Sequence, residues 1–333
     1  MEKQRRALIS ERRRAERARD LQPCVYQWPE SLEAYLPDPT EPGDRWYQAG
    51  NASNPRTTLK ILDDLCPAAD LLIDPLCGSG SSAWAARLRG LPFFGIELDP
   101  VLACVSVAKA RASVRDAELL VEAGRVEGTA EPICSARAPD SPSPIALCLA
   151  VTATLSQGTE HPTQPSVILE DLAVSPSPHE LNTVVWADAT DEGVWADLYA
   201  QPGPLAQARH AVIYASPPFG LRSPRPRAGL GLYGAAVRTL TAAGVAHALS
   251  RPAEFPAYEE IAASVVGNVA RLLPRVTVVL EHEPADDGQD ARRLTAERLL
   301  ADLGHRVERL RILESAVRSG RGAFSLITCE IQP

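Results

Sequence analysis

Apolar residues recur along this chain in short strand-length bursts that alternate with runs of helical spacing. "TTLKILDDLC" sets Leu59, Ile61, Leu62 and Leu65 at helix spacing. "ADLLIDPLCG" is an apolar burst stopped by proline and glycine, which predicts a buried strand and a turn. "SSAWAARLRG" predicts a helix ending at Gly90, and "LPFFGIELD" a second strand. "PVLACVSVAKARASV" predicts another helix, with Pro100 near its first turn. "NTVVWADATD" and "HAVIYASPPFG" predict two more strands. A helix is expected over 256–273, a strand in "RVTVVLEHEP" and a helix in "ARRLTAERLLADLG". "RVERLRILE" and "GAFSLITCEIQ" pair as a closing hairpin, and the chain carries no internal repeat.

The β–α–β–α order argues for an α/β fold: a Rossmann-like, doubly wound, mostly parallel sheet with a C-terminal antiparallel hairpin. The pattern fails in two places. Residues 1–20 look helical and polar, and 21–56 are an irregular lead-in rich in Pro, Trp and Tyr. Residues 128–180 hold eight prolines, many Ser and Thr, and a single basic residue, Arg137. This stretch reads as an insertion or flexible loop, with one or two short strands near "IALCLAVTATL". The expected division is an N-terminal extension over 1–52 and one domain over 53–333, interrupted at 128–180.

Composition narrows the classes. With 333 residues, 45% of them hydrophobic and 23% charged, a packed soluble core is expected. No apolar run has the length of a membrane span, and the basic N-terminus lacks the apolar stretch of a secretory signal. The seven cysteines are odd in number and form no C-x-x-C pair, which argues against a disulfide framework and a zinc site. His210 and His282 show no ligand spacing, so no metal is expected, and the cytoplasm is the expected location. The net charge is −8, unevenly spread. "MEKQRRALISERRRAERARD" carries eight Lys/Arg against four Asp/Glu. The interleaved acids favour a solvated helix with i,i+4 pairs over a nucleic-acid arm.

"DPLCGSGSSAWAARLRGLPFFGIELDP" raises the chemical question. Gly78 and Gly80 fall between a strand and a helix, where missing side chains let a ligand approach the backbone and free helix N–H groups. Glu97 ends the next strand, where an acid accepts hydrogen bonds from ribose hydroxyls. Ser82 or Ala83 fills the third glycine place of G-x-G-x-x-G, so a dinucleotide is disfavoured. The plain alternative is a tight turn with a solvated acid. Trp84, Trp186 and Trp195 read as core or helix faces.

These residues resemble a family. "DPLCGSGSS" is similar to the D-P-F-x-G-S-G-T motif of S-adenosylmethionine (SAM) dependent amino-methyltransferases, and "GIELDP" to their second motif. "SPPF", Ser216–Phe219, resembles the S-P-P-Y or N-P-P-Y of enzymes that methylate exocyclic nitrogens in DNA, RNA or a glutamine amide. The glycine turn precedes the SPPF turn, as in the unpermuted branch or the RNA-type enzymes. Leu76 replaces the usual Phe, Ser81 the Thr and Phe219 the Tyr. The resemblance implies SAM held by Asp74, Cys77, Gly78, Gly80 and Glu97, with Asp188 at the adenine amine. Asn54 and Thr57 of "SNPRTT" lie where such enzymes close over the methionine end, although a helix N-cap explains them equally.

The chemistry suits the motif. A conjugated amine or amide nitrogen is a poor nucleophile until acceptors draw on its protons. The family supplies these from the first side chain and a proline carbonyl, here Ser216 and Pro217, while Phe219 stacks on the planar substrate. Arg222, Arg225 and Arg227 follow directly and suit phosphates, a carboxylate or an acidic peptide. A nucleobase of DNA or RNA ranks first as acceptor. A peptide or small natural-product amine or amide is the second reading, and a non-catalytic binding subunit the third. Nothing in the sequence sets the oligomeric state.

Overall fold

The computed structural model describes residues 24–26, 40–47, 53–127, 143–157, 162–215, 230–246, 258–282, 291–303, 306–319 and 322–331. The expectations for the 1–20 arm, for Ser216, Pro217 and Phe219, and for Arg222, Arg225 and Arg227 lie outside the described residues.

Eight strands of these residues form one sheet. They are β1 (Cys24–Tyr26), β2 (Leu71–Asp74), β3 (Phe93–Glu97), β4 (Thr183–Trp186), β5 (Ala211–Ala215), β6 (Val276–His282), β7 (Val307–Ser319) and β8 (Gly322–Ile331), in the order β1-β7-β8-β6-β5-β2-β3-β4. β4, β3, β2, β5 and β6 run parallel. β8 joins β6 antiparallel and β7 joins β8 antiparallel, which is the expected hairpin. The chain steps outward from β2 through β3 to β4, then returns to place β5 on the other side of β2. In a doubly wound sheet that reversal opens a ligand crevice at the carboxyl ends of the flanking strands.

Side-chain alternation splits the core in two. Leu72, Val212, Tyr214 and Val279 face one layer, and Leu71, Ile73, Ile213 and Val278 the other. The first layer is covered by α1 (Pro55–Leu65), α2 (Ser81–Arg89) and α3 (Pro100–Arg111), followed by α4 (Val114–Glu127), α5 (Pro144–Ser156) and α6 (Pro165–Val174). The second layer receives α7 (Glu192–Ala200), the single turn α8 (Pro204–Gln207), α10 (Tyr258–Leu272) and α11 (Ala291–Leu303). α9 (Leu230–Ala242) returns to the first layer, with Ala236 and Leu240 buried. Trp84 and Trp195 are core residues. No described helix is long and apolar enough to cross a membrane.

Two expectations are corrected. The stretch read as a loop with short strands carries two helices in its described parts, α5 and α6, and no strand among the described residues. Ser143 caps α5 by accepting from Ala146 N at 3.1 Å, and Pro144 starts its first turn. Cys148, Leu149 and Val151 are fully buried, so α5 is a core helix, apolar on all sides and without the polar stripe that periodicity detects. The lead-in also enters the fold. β1 pairs with β7, and residues 40–47 pack on α6 around the buried Asp171. That carboxylate accepts from Gly43 N at 2.9 Å and Trp46 Nε1 at 2.8 Å, and forms an ion pair with Arg45.

Candidate functional site

The site lies at the carboxyl ends of β2 and β3, next to the reversal between β2 and β5. Asp74 closes β2 and is followed by a turn in which Gly78 and Gly80 take φ +50 and +77. Gly80 also caps α2. A Cβ on Gly80 would meet Ser106 Cα at 2.8 Å, so the missing side chain lets α3 pass directly behind the turn. Ser106 Oγ completes that approach by donating to Gly78 O at 2.8 Å. The turn is therefore set by the backbone, and it leads into a helix N-terminus, a favourable place for ligand oxygens. Ser81, the first residue of α2, has a buried Oγ with no hydrogen-bond partner among the described residues.

Glu97 ends β3 and reaches back to the turn. Its Oε2 accepts from Gly78 N at 2.8 Å and its Oε1 from Asp99 N at 2.8 Å. Asp99 in turn caps α3, accepting from Val101 N and Leu102 N. Burial pushes the Glu97 carboxyl up to about 7, against the lowering effect of its two backbone hydrogen bonds. Asp74 is likewise pushed up to about 7 by burial, although Ser82 Oγ and Leu76 N donate to it. Two acids that change charge near neutrality thus face one glycine turn. Burial pushes the Cys77 thiol well up, with the charges of Asp74 and Glu97 adding to the effect, so it stays a packed thiol. Its N–H is committed to Ile96 O at 3.1 Å.

Asp188 follows β4, which pairs Trp186 with Glu97. Its Oδ1 closes a local turn, accepting from Thr190 N at 2.9 Å and Thr190 Oγ1 at 2.7 Å. Asn54 caps α1 through Arg56 N at 2.7 Å, and Thr57 is buried in the first turn. The cap reading of Asn54 is thus realised. Across β2, β5 pairs in parallel through Ile73 and Ile213, so the strand that enters residue 216 lies beside the glycine-turn strand, as expected.

One group was not visible in the sequence. Glu281, on β6, is fully buried and accepts from Ser53 Oγ at 2.8 Å and from Tyr214 Oη. Thr58 Oγ1 donates to Tyr214 Oη at 3.2 Å. The available signal was an acid closing an apolar burst, "VTVVLEH", the same arrangement that drew notice to Glu97. No group of three or more His, Cys, Asp or Glu among the described residues could hold a metal ion.

No family model and no curated protein matches the chain. Among solved structures, it is similar to an rRNA methylase from Streptococcus thermophilus, at 10% identity and TM-score 0.36, over 83% of this chain and 96% of that one. A magnesium protoporphyrin IX methyltransferase from Synechocystis PCC 6803, solved with SAM bound, aligns at 11% identity and TM-score 0.33, over 84% and 77%. A geranyl diphosphate methyltransferase aligns at 12% identity and TM-score 0.34, over 83% and 78%. Overlaps of this size carry no functional argument, so the reading below rests on the site.

Proposed function

We propose that this chain is a SAM-dependent methyltransferase that acts on an exocyclic or amide nitrogen, with a nucleobase as the first-ranked acceptor. The observation that carries the reading is Glu97 at the end of β3, bonded to Gly78 in the turn after β2, the strand next to the reversal of strand order. Ser82 or Ala83 at the third glycine place of G-x-G-x-x-G disfavours a dinucleotide. An uncharged ribose suits an acceptor such as Glu97. The open space at Gly78 and the Ser81 Oγ, without a partner among the described residues, suit a ligand laid against the backbone.

When bound, the sulfonium supplies an activated methyl group, so no strong base is required. Glu97 accepts the ribose hydroxyls, and Asp188 is the candidate for the adenine amine. The resemblance gives the acceptor roles to Ser216 and the carbonyl of Pro217, and the stacking role to Phe219. The positions of Ser216, Pro217 and Phe219, directly after the strand paired with β2, support that assignment. Arg222, Arg225 and Arg227 take the substrate side, as phosphate or carboxylate partners.

Calorimetry with SAM and with its demethylated product tests the cofactor. No binding by the wild-type protein overturns the reading. Labelled SAM offered to separate pools of DNA, RNA, peptides and small amines tests the acceptor. Label confined to peptides or small amines replaces the nucleobase, and label on carbon or oxygen removes nitrogen methylation. Binding without transfer to any pool favours the non-catalytic subunit.

A further inference from the structure

The sheet face that carries Asp74 and Glu97 continues across β5 and β6. Val212 and Tyr214 alternate onto this face, and so do Val279 and Glu281. The register pairs Ala215 with Leu280, so Glu281 stands one step further toward the carboxyl end, level with the exit of β5. There its two oxygens engage different parts of the chain. Oε2 accepts from Ser53, the residue before the α1 cap, and Oε1 accepts from Tyr214 Oη. Thr58 adds a second tie from the first turn of α1 to Tyr214. One carboxylate therefore joins the start of α1 to the last turn of β5 before residue 216.

Packing alone does not call for this arrangement. A leucine or methionine in the same space would fill it without the cost of desolvating an acid. What a hydrophobic residue lacks is direction. Hydrogen bonds from two hydroxyls fix where Ser53 and Tyr214 stand relative to each other.

We propose that Glu281 is a positioning residue for the transfer: it sets the Ser53–Thr58 lead of α1 and the exit of β5 together, so that the cofactor side and the acceptor side of the site share one alignment. The proposal deepens the methyltransferase reading and rests on it. The two arms predict different kinetic losses. Ser53→Ala removes the α1 arm and should weaken binding of the demethylated cofactor product about tenfold, with a smaller effect on kcat. Tyr214→Phe keeps the ring in the core but removes the β5 arm together with the Thr58 tie, and should lower kcat about tenfold, with a smaller effect on cofactor affinity because Ser53 still holds the α1 lead. Glu281→Gln should show both losses. Amide exchange across residues 54–60 should quicken in Ser53→Ala and Glu281→Gln, which reads the α1 arm without any turnover.

The test measures calorimetric affinity, KM, kcat and amide exchange on the full chain. A split between KM and kcat that follows the two arms supports the proposal. Variants that melt earlier but keep wild-type affinity, kcat and exchange overturn it and leave a merely structural acid. If Glu281→Gln does not fold, the two hydroxyl deletions decide alone. Failure of the wild type to bind cofactor removes the underlying reading instead, so the two failures are distinguishable.

Discussion

Along β2 and β3 the rim of the sheet presents its acids to a turn stripped of side chains, whereas along β5 and β6 it turns an acid inward onto hydroxyls. Glu97 bonds to backbone amides of Gly78 after β2 and Asp99 after β3, and Asp74 to Ser82 and Leu76 N. Glu281 bonds to Ser53 and Tyr214, which belong to separate elements. The first arrangement ties its acids to main-chain amides around a turn with two glycines. The second leaves no surface, and it instead fixes the relative placement of α1, β5 and β6. On the proposed function, one sheet edge thus divides into a part that receives the cofactor and a part that aligns the walls around it.

The largest expected effect is on the receiving half. Gly80→Ala combines a left-handed backbone with a Cβ 2.8 Å from Ser106 Cα, and should cost about 3 kcal/mol in denaturant unfolding. Gly90→Ala is the control, since it shares the positive φ but meets nothing within 4 Å; it should cost about 1 kcal/mol. Equal losses at the two positions would dismiss the close approach of α3. Next comes Glu97→Ala, which should weaken calorimetric binding of SAM by about 2–3 kcal/mol, the worth of hydrogen bonds to a charged acceptor. Unchanged binding would take Glu97 out of the site.

A pH series sharpens the contrast further. Asp74 and Glu97 sit at about 7 when folded, above their ordinary carboxylate values, so the folded ligand-free protein holds more protons than the unfolded chain between those values. The stability they contribute is present at low pH and is lost as pH rises through about 7. The melting midpoint of the free protein should therefore fall from pH 5 to 8, and Glu97→Gln should flatten part of that fall. Cofactor binding should run the other way. Ribose hydroxyls favour the ionised Glu97, so affinity should rise with pH up to about 7 and then level off. The smallest effect belongs to the aligning half. Thr58→Val removes one hydroxyl from Tyr214 and should cost about 1 kcal/mol of stability, read by the same denaturant series.

The receiving half was legible because its signals are local. Strand, glycine turn, helix and acid follow one another from Leu71 to Glu97, and Gly90 and Pro100 mark helix ends at the sequence level. The aligning half was not, because Ser53, Tyr214 and Glu281 meet only after the sheet has assembled. α5 was missed for a different reason. A helix buried on all sides has no polar stripe, and "IALCLAVTATL" looks the same whether coiled or extended. Ser143 and Pro144, a cap followed by a first-turn proline, were the overlooked clue. Asp171 carried no clue of its own, since its partners lie more than a hundred positions earlier.

The short strand β1 has a consequence for handling the protein. β7 is 13 residues long and lies next to the edge strand β1, with Leu313 to Ser315 paired in parallel to Cys24–Tyr26. A long strand whose ladder groups are left open invites another chain to add to it. Removing residues 1–26 would keep residues 40–47 on Asp171, yet uncover the three positions of β7 that β1 pairs. Such a truncated protein should self-associate as concentration rises, visible in light scattering, so the N-terminal strand guards colloidal behaviour at an edge remote in sequence from itself.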